Sequence, residues 1–268
     1  MAGGMSLDHP WAFGFGILGN VISFMVYLAP LPTFYRIYRK KSTEGFQSVP
    51  YVVALFSAML WIFYAFIKKN AYLLVTINLF GCIVETIYII MYLVYAQRKA
   101  RMNTAKMFML LNVGLFSLIV LCTLLIPNKG SLRLKVLGWI CVAFAVSVFA
   151  APLSIIRQVI RTKSVEFMPF SLSFALTLSA VVWFSFGLFS RDIYIALPNV
   201  LGFTFGVVQM VLYIIYKDTK IPESLTEQKL PGHELAVAKL GALEEGKTKN
   251  SDHGNDRSRD GEVEMSSV

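Results

Sequence analysis

The chain is poor in charge. Of its 268 residues 15% are Asp, Glu, Lys or Arg, against about 25% in an ordinary soluble domain, while 56% are hydrophobic and the mean hydropathy is +0.61. A soluble fold cannot hide that much apolar surface, so the chain's solvent is lipid. Acidic residues are rarest up to Tyr216: residues 1–216 hold 5 Asp/Glu against 17 Lys/Arg, a net +12, whereas residues 217–268 hold 11 against 8, a net −3. Base dispersed among hydrophobic runs marks membrane orientation rather than a phosphate-binding face, which argues against nucleic acid as a partner. Cysteine is scarce and odd in number. Cys82, Cys122 and Cys141 all lie in apolar runs, so they read as packing residues and not as a disulfide framework, redox pair or zinc site. The three histidines, His9, His233 and His253, lie outside the apolar runs, and no paired Asp occurs within them, which leaves no intramembrane metal centre or Ser/His dyad. No enzyme activity, cofactor or metal is expected.

What is present is a series of long apolar runs. A span needs roughly 20 mainly apolar residues to cross about 30 Å of hydrocarbon, and seven stretches qualify: 11–29, 49–67, 72–95, 107–126, 136–156, 169–189 and 193–216. The first lacks a basic leader or a small-residue cleavage site, so it reads as a retained span. Basic residues near span ends divide unequally. Arg36, Arg39, Lys40, Lys41, Arg98, Lys99, Arg101, Lys106, Arg157, Arg161, Lys163, Lys217 and Lys220 lie on one side, and Lys68, Lys69, Lys129, Arg133, Lys135 and Arg191 on the other. By the positive-inside rule the N-terminus is expected outside and the C-terminus in the cytoplasm. Residues 217–268, polar and almost without aromatics, are expected to be a disordered cytoplasmic tail.

Seven spans also describe a receptor, but this chain repeats itself. At an offset of 122, Gly16 pairs with Gly138, Val26 with Val148, Ala29-Pro30-Leu31 with Ala151-Pro152-Leu153, Lys41-Ser42 with Lys163-Ser164, Ser57-Ala58 with Ser179-Ala180 and Trp61 with Trp183. After a one-residue slip, an offset of 121 pairs Asn78 with Asn199, Gly81 with Gly202, Tyr92 with Tyr213 and Tyr95 with Tyr216. Three crossings leave a chain on the opposite face, so a second copy in the same orientation requires one extra crossing. The expected fold is therefore an all-α membrane protein of seven transmembrane helices, two parallel three-helix repeats joined by an inversion linker (3+1+3). The units are 1–97, a linker at 98–132, 133–216 and the tail. Parallel repeats meeting about an axis along the membrane normal are a transporter design, with substrate held at mid-membrane between them.

The runs Ala29-Pro30-Leu31-Pro32-Thr33-Phe34-Tyr35-Arg36-Ile37-Tyr38, Lys41-Ser42-Thr43-Glu44-Gly45-Phe46-Gln47-Ser48-Val49-Pro50-Tyr51 and Lys163-Ser164-Val165-Glu166-Phe167-Met168-Pro169-Phe170 closely resemble SWEET sugar transporters of land plants. The resemblance covers residues 11–216. It implies a bidirectional carrier of sucrose, glucose or fructose, the first-loop motif and long tail being most similar to the sucrose-favouring branch. It also implies self-association, as homo-oligomers or hetero-oligomers with related transporters, and a plasma-membrane location among membrane lipids.

A sugar site needs flat aromatic surface for C–H faces and neutral groups that both donate and accept hydrogen bonds. Trp61 and Trp183 supply the first, Asn78 and Asn199 the second. A lone mid-span Asn is explained by a bond to a neighbouring helix, but Asn and Trp repeated in both halves argue for a shared cavity, and the resemblance places all four at the sugar. It adds Ser57 and Ser179, one helical turn before the tryptophans, with Ser23, Val26 and Val148 on spans one and five. Ala145 stands where disaccharide carriers commonly have Ser. Pro30, Pro50, Pro152 and Pro169 lie at the cytoplasmic span ends, where proline is tolerated anyway; the resemblance makes them inner-gate hinges. It also makes Tyr64 with Asp192 an outer gate pair, Phe186 being the counterpart of Tyr64. Glu85 is the one carboxyl deep in a span, and its counterpart is Gly206. A matched ionisable site is thus missing, which favours a uniporter over a proton-coupled carrier. The receptor alternative predicts no repeat, and a retinal protein would need a lysine in 193–216, where none occurs.

Overall fold

The computed structural model describes residues 10–69, 71–127, 130–165, 168 and 170–217; the expected tail lies outside the described residues beyond Lys217. Every regular element among them is helical. The helices are α1 (Pro10–Leu28), α2 (Leu31–Lys40), α3 (Val49–Lys68), α4 (Tyr72–Tyr95), α5 (Arg98–Phe108), α6 (Phe116–Leu125), α7 (Gly130–Val148), α8 (Ala150–Thr162), α9 (Phe170–Phe189) and α10 (Ile193–Tyr216), with a π-helical stretch at Met109–Leu115 joining α5 to α6. Among the described residues they make seven segments long and apolar enough to cross a membrane. We call the side where α1 begins the near face and its opposite the far face.

Four spans fall within a residue of their expected bounds. The other three are longer: Pro10–Lys40, Arg98–Leu125 and Gly130–Thr162, against the expected 11–29, 107–126 and 136–156. The extensions are amphipathic, so apolar content alone stops short of them. In α2, Thr33, Phe34 and Ile37 are buried while Tyr35, Tyr38, Arg39 and Lys40 are exposed. Phe34 stacks on Tyr88 with ring centroids 4.2 Å apart and meets Tyr51 edge-on at 4.9 Å. The extensions α2 and α8 end in the same way. Lys41 and its counterpart Lys163 take the left-handed conformation at φ 53° and 55°, and their ammonium groups reach Tyr95 and Tyr216, at 3.3 and 2.7 Å from the hydroxyls. Beyond α2, Lys40 and Arg36 clasp Glu44, and the Lys40 contact chiefly holds that carboxyl below its ordinary pKa.

Within each repeat the third helix lies between the other two: α4 touches α1 and α3, and α10 touches α7 and α9. Between repeats the first helix of one packs on the middle helix of the other, α1 on α9 and α7 on α3. The linker rides on the first repeat. Its π-helical stretch, α5 and α6 all lie against α3, where buried Asn112 donates to the Val52 carbonyl at 3.2 Å and Thr104 meets Ser48 at 2.5 Å.

Polar groups in lipid must find partners inside the protein. Asn20 donates to the Gly16 and Leu73 carbonyls, both at 2.8 Å, and accepts from Thr76 at 2.8 Å, which braces α1 against α4. The Tyr88 hydroxyl donates to the Tyr27 carbonyl at 3.1 Å, satisfying the frayed end of α1.

Close helix approach depends on glycine at Gly187, where an added Cβ would stand 2.7 Å from the Ala196 backbone nitrogen. Backbone cannot yield as a side chain can. Gly187→Ala should therefore force α9 from α10 at a cost of about 1–3 kcal/mol, read as a lower Tm of the detergent-purified protein. Gly14→Ala, with nothing within 4 Å of the new Cβ, should leave Tm unchanged or slightly raised. Equal behaviour of the two variants would refute this packing.

Candidate functional site

A cavity of about 290 Å³ lies where the repeats meet. Twelve of its thirteen lining residues form six pairs related by the repeat: Ser23/Ala145, Tyr27/Phe149, Trp61/Trp183, Leu74/Ile195, Ile77/Pro198 and Asn78/Asn199, with Ser57 the thirteenth. First, middle and third helices of both repeats all contribute, so the cavity straddles the pseudo-twofold axis.

The polar side chains are held in matching ways. Asn78 donates one amide hydrogen to the Leu74 carbonyl at 2.8 Å, and Asn199 one to the Ile195 carbonyl at 2.7 Å, each a turn back along its own helix. A bond to a neighbouring helix is thus not what holds them. Each amide oxygen and second amide hydrogen has no partner among the described residues. The tryptophans are braced edge-on by matched rings nearer the near face, Trp61 by Tyr64 at 5.5 Å and Trp183 by Phe186 at 5.4 Å, both at 82°. Gly19 lets the Trp183 indole lie against α1, since a Cβ there would stand 3.0 Å from the ring. The Trp183 Nε1–H then donates to Ser23 Oγ at 2.9 Å, across the repeat boundary. Ala145 gives Trp61 no equivalent acceptor.

Towards the near face, Asp192 closes the interface. Its Oδ1 caps α10, accepting from the Tyr194 and Ile195 backbone N–H groups at 3.0 and 3.3 Å. Its Oδ2 accepts from the Tyr64 hydroxyl at 2.7 Å and from Lys68 Nζ at 2.5 Å. The Asp192 side chain is 2% exposed, and the bonds from Tyr64 and Lys68 span α3 of one repeat and α10 of the other. Lys68 was not singled out from the sequence; its position one turn after Tyr64 is the signal that could have found it.

Of the expected site residues, Ser23, Ser57, Trp61, Asn78, Trp183 and Asn199 line the cavity, whereas Val26, Val148 and Ser179 do not. Val148 is 43% exposed. Pro30 stands at the break between α1 and α2, Pro152 in the first turn of α8 and Pro50 in the first turn of α3. Pro169 lies outside the described residues. A further proline, Pro198, sits inside α10 at the cavity wall, next to Asn199; it cannot donate to the Tyr194 carbonyl one turn back. Glu85 is buried on α4, two turns beyond Asn78 towards the far face, and its Oε2 has no hydrogen-bond partner among the described residues. Among the described residues no group of His, Cys, Asp or Glu is placed to hold a metal.

Residues 13–100 and 135–221 each match the family model described as sugar efflux transporter for intercellular exchange. The chain is 69% identical over 213 residues to bidirectional sugar transporter SWEET13 of Oryza sativa subsp. japonica, covering 80% of this chain and 72% of that one. It is 59% identical over 228 residues to bidirectional sugar transporter N3 of Medicago truncatula, covering 85% of each, and 58% identical over 242 residues to bidirectional sugar transporter SWEET11 of Arabidopsis thaliana, covering 88% and 83%. The solved 3.7 Å structure of a eukaryotic SWEET transporter superposes with a TM-score of 0.74 at 34% identity, over 80% of this chain and all of that one.

Tyr64→Phe removes one bond to Asp192 and should cost about 1 kcal/mol. Asp192→Ala removes the acceptor for both Tyr64 and Lys68 together with the α10 cap, itself worth about 1 kcal/mol, so its loss should be larger. Thermal unfolding of the purified protein should rank wild type above Tyr64→Phe and Tyr64→Phe above Asp192→Ala; the reverse order would remove Asp192 from the closure.

Proposed function

The chain belongs to the SWEET family of sugar transporters, and from that premise we propose that it is a facilitative, bidirectional uniporter carrying sucrose or a hexose by alternating access. The single observation that carries this reading is the cavity's paired, uncharged lining. Two indole faces stack on apolar C–H surfaces of a sugar ring, and two asparagine amides, each with an unused donor and acceptor, meet its hydroxyls. Among the described residues no Asp, Glu, Lys, Arg or His lines it. A neutral site suits a neutral solute, and weak binding suits a carrier that must release on both sides.

In this reading Trp61, Trp183, Asn78 and Asn199 hold the sugar. Ser23 and Ser57 add hydroxyl contacts, while Val26, Val148 and Ser179 shape the surrounding helix faces. The Tyr64–Asp192 closure, with Phe186 behind Trp183, is the outer gate, and opening it requires those bonds to break as the repeats rock apart. Pro30, Pro50, Pro152 and Pro169 are the inner hinges. Residues 1–97 and 133–216 are the rocking units, joined by 98–132. The N-terminus is extracellular and the C-terminus cytoplasmic, in the plasma membrane, and the protein self-associates and pairs with related transporters. Glu85 stands outside the cavity lining and has Gly206 for its counterpart, which supports uniport over proton coupling. The family match sets the receptor alternative aside.

Proteoliposomes holding the full chain should exchange labelled sucrose or glucose in both directions at a rate unaffected by collapsing the proton gradient. Concentrative uptake driven by that gradient would overturn the uniporter reading. Trp183→Ala and Asn199→Ala should each lower flux at least tenfold, about 1.4 kcal/mol or more of lost binding, while the protein stays in the membrane; flux surviving both changes would overturn the site. Protease protection of tagged termini checks orientation, and crosslinking in intact membranes checks self-association.

A further inference from the structure

The cavity is symmetric in shape but not in polarity. Of its six pairs, two differ in hydrogen-bonding capacity, Ser23 against Ala145 and Tyr27 against Phe149, and in both the hydroxyl belongs to the first repeat. Ser23 Oγ already accepts from the Trp183 indole, which leaves its own hydroxyl hydrogen for a sugar. Tyr27 differs. Its carbonyl accepts from Tyr88, but its phenolic hydroxyl has no partner among the described residues.

That hydroxyl has a defined seat. It lies against Gly81 of α4, where an added Cβ would stand 2.5 Å from it. Gly81 follows Asn78 by one helical turn on the same face, so the Tyr27 hydroxyl lies about one turn further along α4 than Asn78, whose amide turns back to the Leu74 carbonyl. In the second repeat Phe149 is seated on Gly202, 3.5 Å from its would-be Cβ and one turn beyond Asn199, with only ring carbons to offer.

We propose that Tyr27 is a substrate-contacting, specificity-determining residue whose hydroxyl adds a second polar point to the first-repeat wall, about a helical turn from the Asn78 amide. This rests on the sugar-transport reading above. A twofold cavity offers a sugar two equivalent poses related by half a turn, and uniform contacts cannot choose between them. A phenol both donates and accepts, so placing one on a single wall removes the degeneracy. The sugar turns its hydroxyl pair to the first repeat and a C–H face to Phe149.

Tyr27→Phe deletes one oxygen and keeps the ring on Gly81, so folding is preserved. In proteoliposomes of the full chain, KM for the transported sugar should rise about three- to tenfold, the loss of one neutral hydrogen bond. Monodeoxy analogues of that sugar, used as competitors, locate the contact. One analogue, weaker than the parent against wild type, should inhibit Tyr27→Phe and wild type equally, while the others lose affinity as the parent does. An unchanged KM, or equal weakening of parent and all analogues, would overturn the assignment. Absence of sugar flux in the wild-type chain would instead overturn the transport reading, and this proposal with it.

Discussion

Everything in this fold depends on packing the first helix of each repeat against the middle helix of the other, α1 on α9 and α7 on α3. That reciprocal contact brings Trp61 and Trp183 to opposite walls of one cavity. It also lets the third helices, α4 and α10, present Asn78 and Asn199 from behind. A single three-helix unit would leave these side chains facing lipid, where unsatisfied amides are costly. Meeting its copy converts an exposed polar face into a shared, enclosed one.

The two ends of the interface are built differently. Towards the near face the repeats are joined by directed polar bonds, Tyr64 and Lys68 onto one buried Asp192 oxygen. Such bonds are directional and weaken steeply as the partners part. Towards the far face the polar bonds run within repeats, as from Tyr88 to the Tyr27 carbonyl and from Tyr92 to the Phe46 carbonyl at 2.8 Å. These tie the helices and first loop of the first repeat to one another.

The sequence made the seven spans and the repeat legible because both are written in rare signals: long uninterrupted apolar runs, and Trp, Asn and Pro kept at a fixed offset. It made α2 and the extension of α8 less legible because an amphipathic helix beside a span looks like a polar loop to a hydropathy reading. Tyr27, Phe149, Leu74, Ile195, Ile77 and Pro198 passed unnoticed for the opposite reason, since apolar and aromatic residues are common in any span. Their offset is the same 121 or 122, and it becomes informative only once the cavity shows which helix faces matter. Ser179 shows the limit of the repeat as a guide. The repeat pairs it with Ser57, but only Ser57 lines the cavity, because equivalent positions in two repeats need not turn equally inward.

The linker packed on α3 has a consequence for descent. Two separate half-size chains meeting about a true dyad would carry every substitution twice, so an added hydroxyl on one wall would always appear on the other. Covalent fusion through an extra crossing frees the halves to drift apart one codon at a time. Tyr27 paired with Phe149, Ser23 with Ala145 and Glu85 with Gly206 are differences that no homodimer can hold, and together they give a twofold vessel a left and a right hand.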